Sequence, residues 1–136
     1  MKPPDAIRRE LVAQWLARAE EDLGVARHLL ADRLPYYTAI GFHAQQAAEK
    51  YVKAFLVAHQ VEFPKTHDLG RLLDLVAGVD AALAEALSGA VQLSDYGVDV
   101  RYPGDLPELG IDDARRAVDC AVQVRDGITP RLEPIP

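Results

Sequence analysis

Cysteine is nearly missing from this chain: Cys120 is the single one in 136 residues. No disulfide can close within it, and a reducing compartment suits such a sequence. Lying in a helix-patterned stretch, Cys120 reads as a small core residue. Long hydrophobic runs are also absent. Nothing approaches the ~20 consecutive apolar residues that span a bilayer, and Met1-Lys-Pro-Pro-Asp5 lacks the apolar core of a secretion signal. A soluble, cytoplasmic protein without membrane association is expected. Basic charge is scarce as well, with a net charge of -6. The acidic excess falls in the second half, so a general nucleic-acid coat is excluded, because phosphate binding draws on clustered Lys and Arg. Any RNA contact has to be local.

Other absences narrow the chemistry. One cysteine and the scattered His28, His43, His59 and His67 cannot build a tetrahedral zinc site, so no metal is expected. The glycines Gly78, Gly89, Gly97 and Gly104 form no strand-to-helix phosphate loop. Ser88 and Ser94 have no neighbouring histidine with which to make a hydrolytic triad. No cofactor is implied.

What is present is helical periodicity. Ile7, Leu11, Trp15, Leu16, Ala19, Leu23, Ala26, Leu29 and Leu30 recur at spacings of three and four, predicting an amphipathic helix over 6–31 with Asp5 as its N-cap. Arg8, Arg9, Arg18, Glu21, Asp22 and Arg27 form its solvated face. Pro35 interrupts, and a second helix runs from about Tyr36 to His59. Pro64 ends the connector, with Thr66 or His67 before the next helix and Asp68 at its dipole-favoured start. Leu69, Leu72, Leu73 and Val76 continue a short stripe. Asp80 caps a further helix through Leu83, Leu87, Val91 and Tyr96. Loop follows, with Pro103, Gly104 and Pro107 in it. A last helix from Asp112 to about Gly127 buries Ala114, Ala117, Val118, Ala121, Val122 and Val124. Strand alternation and repeats are lacking. The fold expected is all-α, an up-down bundle of four to five helices in one domain over 1–136, with the bundle at about 6–128 and a frayed C-terminal tail.

The second helix poses a question. Ile40, Ala44, Ala47, Tyr51, Phe55 and Ala58 share one stripe, Phe42, Gln45, Glu49, Val52 and Leu56 a second, and His43, Gln46, Lys50 and Lys53 a third. A helix so widely bordered by apolar groups is covered on more than one side, and its alanines let a neighbour approach closely. Buried polar groups need partners. Either Gln46, Glu49 and Lys50 satisfy one another across a subunit contact, or they line a site.

Four segments together resemble the HEPN domain family. They are the first helix with Trp15, Ala19, Asp22, Leu23 and Ala26; Phe42-His-Ala-Gln-Gln-Ala-Ala-Glu-Lys-Tyr-Val-Lys-Ala-Phe-Leu56; Pro64-Lys-Thr-His-Asp-Leu69; and Tyr96 through Arg101-Tyr-Pro103. The resemblance covers about residues 10 to 125. It implies a helical bundle that dimerises side by side, and a minimal nucleotidyltransferase as partner in a toxin–antitoxin module. Many HEPN proteins are metal-independent endoribonucleases using an Arg and a His separated by four to six residues near the start of the last helix, with the site assembled across the dimer. An imidazole there exchanges a proton with the 2′-hydroxyl, and a guanidinium holds phosphoryl charge. This sequence departs from that pattern, since no histidine follows Arg101.

Two functions are therefore expected to compete. In one, the chain is a homodimeric binding protein for a minimal nucleotidyltransferase or a nucleotide, with His43, Gln46, Glu49, Lys50, Lys65, His67, Asp68, Arg101 and Tyr102 as its working surface. Lys50, Lys53, Lys65 and Arg101 would supply a small anion site. In the other it is an RNA-cleaving toxin with a rearranged site, in which Arg101 and His67, or His43, carry the chemistry. His28 and His59 are set aside, the latter as a cation near a helix C-terminus.

Overall fold

The computed structural model describes residues 4–96 and 109–132. Five α-helices make an all-α bundle: α1 (Asp5–Ala31), α2 (Tyr37–Ala58), α3 (Leu69–Ala77), α4 (Ala81–Ala86) and α5 (Ile111–Ile128). A 3-10 segment over Ser88–Tyr96 follows α4, and a shorter one over Thr129–Arg131 follows α5. No strand occurs among the described residues.

Helices α1 and α2 form an antiparallel hairpin, and its turn is closed by residues that sequence reasoning passed over. Arg33 takes a left-handed φ of 56°. Its N–H reaches Leu30 O at 3.1 Å while that of Leu34 reaches Leu29 O at 3.1 Å, the paired bonds of a Schellman C-cap. Helix α2 ends the same way: Gln60 has φ 61°, with Gln60 N to Val57 O and Val61 N to Leu56 O. Both positions usually favour glycine.

Helix α2 sits at the centre, packed by α1, α3, α5 and both 3-10 segments. Its core stripe is as expected: Ile40, Ala44, Ala47, Tyr51, Phe55 and Ala58 are buried, and so is the neighbouring stripe of Gln45, Glu49, Val52 and Leu56. Ala19 and Ala26 of α1 and Ala47 and Ala48 of α2 are fully buried in the same core. The close approach that the alanines allow is made within one chain. Gly41 lets α2 approach Tyr96 and Leu109: a Cβ there would lie 3.1 Å from the Leu109 side chain and 3.3 Å from the Tyr96 ring.

Several expectations are corrected. Pro4 occupies the N-cap position of α1, and Asp5 is its first helical residue. Ile7 and Leu11 are exposed. Arg8, assigned to the solvated face, is buried and ion-paired to Asp5 at 3.1 Å. Val122 and Cys120 are half-buried, and Ile128 takes a core place at the end of α5.

The helix expected from Asp80 to Tyr96 is instead short. Asp80 caps it by accepting Leu83 N at 3.0 Å, but the α-helix ends at Leu87 and the chain tightens into 3-10 geometry. Leu87, Ala90 and Leu93 are then buried, and Val91 is exposed. A 3-10 helix has three residues per turn, so the spacing 87, 90, 93, 96 stays on one face, whereas the α-periodic choice of Val91 does not.

Candidate functional site

The buried polar residues of α2 converge on one carboxylate. Glu49 has a side chain only 3% exposed. Its Oε2 accepts from Lys53 Nζ at 2.9 Å, and its Oε1 accepts from Gln45 Nε2 at 3.1 Å and His67 Nδ1 at 2.8 Å. The remaining amide hydrogen of Gln45 goes to the backbone carbonyl of His67 at 3.2 Å, and Gln46 Nε2 donates to Gln45 Oε1 at 2.7 Å. Every polar atom of Gln45 is thus used. Lys53 is 7% exposed. Its ammonium lies 5.4 Å from the Trp15 ring centroid and 5.8 Å from that of Phe63, two rings that meet edge to face. The cation is held by one carboxylate and two π faces.

The connector before α3 is fastened to this cluster. Asp68 caps α3 by accepting Arg71 N at 3.3 Å, and the Ser94 hydroxyl accepts Leu69 N at 3.0 Å. His67 is therefore held at its backbone and at Nδ1 while its side chain remains 69% exposed. A carboxylate can only accept, so Nδ1 carries the proton in this bond and Nε2 turns outward.

A second cluster joins α1 to α2. Asp22 Oδ1 bonds His43 Nδ1 at 2.9 Å, and its Oδ2 accepts from Lys50 Nζ at 2.5 Å. Asp22 is thus largely covered, at 13% exposure, and not part of a solvated face. Two residues earlier on α1, Glu20 accepts from the Tyr51 hydroxyl. Burial first, then that bond, pushes the Tyr51 phenol well above its ordinary range.

The expected site residues fall into groups. Glu49 and His67 meet directly. His43 and Lys50 share Asp22, and Gln46 leans on Gln45. Lys65 is exposed on the connector, and Asp68 is committed to its helix cap. Arg101 and Tyr102 lie outside the described residues. Lys53, expected to share a stripe and an anion site with Lys50, is instead buried against Glu49. The enclosure of Gln45, Glu49 and Lys53 is complete within a single chain. His28 is exposed and paired with Asp32, and His59 Nε2 meets Arg131 O at 2.9 Å.

Sequence reasoning missed Asp22, Lys53, Trp15 and Phe63 as members of these clusters. A signal existed for Asp22: it lies between Ala19 and Ala26 at spacings of three and four, inside the apolar stripe. For Phe63 no local signal existed. Among the described residues no group of three or more metal-ligating side chains is present, and no helix is long and apolar enough to cross a membrane.

Comparison with known proteins agrees with this architecture. The model of the HEPN domain family matches residues 12–128. A solved structure, that of an archaeal HEPN homologue designated ST0689, is similar at a TM-score of 0.66 and 25% identity, covering 89% of this chain and 97% of that one. The protein TT1696 from Thermus thermophilus is similar at a TM-score of 0.69 and 27% identity, covering 88% of this chain and 97% of that one. No curated protein matches the chain.

Proposed function

The chain belongs to the HEPN domain family, and from that premise we propose that it is a homodimeric binding protein that assembles with a minimal nucleotidyltransferase and takes a nucleotide at the polar edge of α2. Support comes chiefly from one observation. On a helix otherwise buried almost all round, His43, Gln46 and Lys50 form a half-exposed polar row. The row is braced from below by Asp22 and Gln45. Such a row offers donors and a cation in fixed positions, as recognition of an anionic, hydrogen-bonding partner requires. Exposed Lys65 extends the positive character along the connector.

The test has three readouts. Light scattering should give twice the chain mass. Purification from the native host should bring down a nucleotidyltransferase. A nucleotide at 100 times its Kd should stabilise the fold by about 2.7 kcal/mol, seen as a rise in melting temperature that Lys50→Ala abolishes. A monomer that retains no partner and shows no shift with adenosine or uridine nucleotides refutes the proposal.

A second reading, a metal-independent endoribonuclease, draws support from the Glu49–His67 pair. An imidazole with one nitrogen fixed on a carboxylate and the other free is suited to accept a proton from a ribose hydroxyl. In that case single-stranded RNA is cut in the presence of a chelator, and His67→Ala or Arg101→Ala stops the cleavage without unfolding the bundle. Intact RNA after long incubation with folded protein discards this reading.

A further inference from the structure

Four histidines are present, and their surroundings differ in a way that separates one from the rest. His67 has Nδ1 at 2.8 Å from a carboxylate that is itself 3% exposed, while its ring is 69% exposed. His28 is equally open, at 75%, but the contact of 3.2 Å to Asp32 is made through Nε2 and to a half-exposed carboxylate. His59 spends Nε2 on the Arg131 carbonyl and stacks at 4.2 Å on Phe55. His43 bonds a carboxylate through Nδ1, but its ring is only 31% exposed. Among the described residues His67 alone combines a fixed Nδ1–H on a largely exposed ring with an Nε2 that meets no partner.

We propose that His67 is a phosphoryl-acceptor site: its Nε2 takes the phosphoryl group from small activated donors such as phosphoramidates and acyl phosphates, with Glu49 as the positioning residue. The chemistry balances as follows for phosphoramidate. The Nε2 lone pair of the neutral ring forms a bond to phosphorus, the P–N bond of the monoanionic donor breaks, and neutral ammonia leaves. The ring keeps its Nδ1 proton and becomes a cation bearing a dianionic phosphoryl group, so the charge before and after is the same. Positive charge therefore develops on the ring during transfer, and Glu49 stands 2.8 Å from the N–H that shares it. A carboxylate fixed there in advance stabilises that charge without reorganising.

The rest of the cluster serves the same step. Lys53 and Gln45 hold the Glu49 oxygens in place, and Gln45 also pins the His67 carbonyl, so ring and carboxylate cannot drift apart. Lys53 offsets the charge of Glu49, which lessens its repulsion of an incoming anion. Lys65, two residues back on the exposed connector, adds local positive potential, while the N-terminal end of α3 is taken up by the Asp68 carboxylate that caps it. The site differs from the polar row of α2 and depends on neither function proposed above.

The experiment uses the intact protein and potassium phosphoramidate, followed by phosphorus NMR and peptide mapping by mass spectrometry. One phosphoryl group is expected on Nε2 of His67, forming about tenfold faster than on His28. Glu49→Gln should reduce His67 to the rate of His28. Labelling of His28 as fast as His67, attachment at Nδ1, or an unchanged rate in folded Glu49→Gln overturns the proposal. If Glu49→Gln does not fold, the ratio of His67 to His28 within the unaltered protein decides alone.

Discussion

Replacing Glu49 with leucine removes the one acceptor on which three donors converge, and the consequences can be worked out group by group. Gln45 keeps its bond to the His67 carbonyl but has its other amide hydrogen left buried without an acceptor, and exposed His67 turns to water. Lys53 has no such escape. Its ammonium is 7% exposed between Trp15 and Phe63, so Glu49→Leu leaves a buried cation with only two π faces, at a cost of about 3–5 kcal/mol. Lys53→Met is milder. Glu49 then retains the Gln45 amide and the His67 N–H, and the loss is that of one hydrogen bond to a charged group with its Coulomb partner, about 2–3 kcal/mol. The double replacement should recover the part of the loss that comes from the stranded cation and stay below the original by about 1–3 kcal/mol, because leucine and methionine replace the desolvated pair while the buried Gln45 amide hydrogen still lacks the acceptor it had in Glu49. Trp15 is the only tryptophan and lies on Lys53, so urea unfolding followed by its fluorescence reports on this site, at one protein concentration throughout. A double variant as unstable as the two single losses added together would show that the cluster is not a coupled charge pair.

Gln60→Gly and Arg33→Gly should each stabilise the fold by up to about 1 kcal/mol, since the left-handed φ costs a side chain about 1–2 kcal/mol and glycine's extra freedom when unfolded returns part of that; calorimetric melting tests it. Asp68→Ala and Asp80→Ala each remove an N-cap acceptor and should cost about 1 kcal/mol in urea unfolding. Spectroscopic titration at alkaline pH should find Tyr51 and Tyr96 ionising later than an ordinary phenol, burial being the main cause in both. Their folded pKa values are raised, so this stabilisation is full below the ordinary tyrosine range and is lost as pH rises through the folded values. Asp113 works the other way: the Gly110 N–H, and then Arg116, hold its carboxyl below the usual range, so its contribution is present above that range and lost on acidification, and Asp113→Asn removes this part of the pH dependence.

How much of this was legible in the sequence varies with the kind of interaction. Helix limits came from periodicity and punctuation. Pro35 lies in the turn before α2, Asp80 caps α4, and α2 and α5 begin and end within a residue or two of expectation. The two Schellman caps escaped because Arg33 and Gln60 stand where glycine would have signalled them. The 3-10 segment escaped because Leu83 and Leu87 continue an α-period up to the point where Leu87, Ala90 and Leu93 change to a period of three. Periodicity tells which residues share a face and says nothing of what covers it. Gln45 and Glu49 were legible as a polar intrusion into an apolar helix, but His67, which meets both, and the rings of Trp15 and Phe63, which cover Lys53, are far away in the chain. For the same reason Lys53, placed by periodicity with His43, Gln46 and Lys50, gave no sign of its burial on Glu49 one turn away.

Because Glu49 both helps to hold the bundle and aims a surface imidazole, a single replacement there disturbs stability and site together, and loss of either could be blamed on the other. The pairing with Lys53 separates them. Glu49→Leu combined with Lys53→Met removes both buried charges and should recover the stability lost to the stranded cation, though not that of the Gln45 amide hydrogen, and it leaves His67 with no acceptor for Nδ1. In that double variant the bundle should melt above Glu49→Leu alone, while His67 should lose its advantage over His28 toward phosphoramidate. Retention of the advantage in a folded double variant would mean that exposure, and not the carboxylate at 2.8 Å, makes His67 reactive; a double variant melting no higher than Glu49→Leu alone would sink the charge-pair reasoning instead.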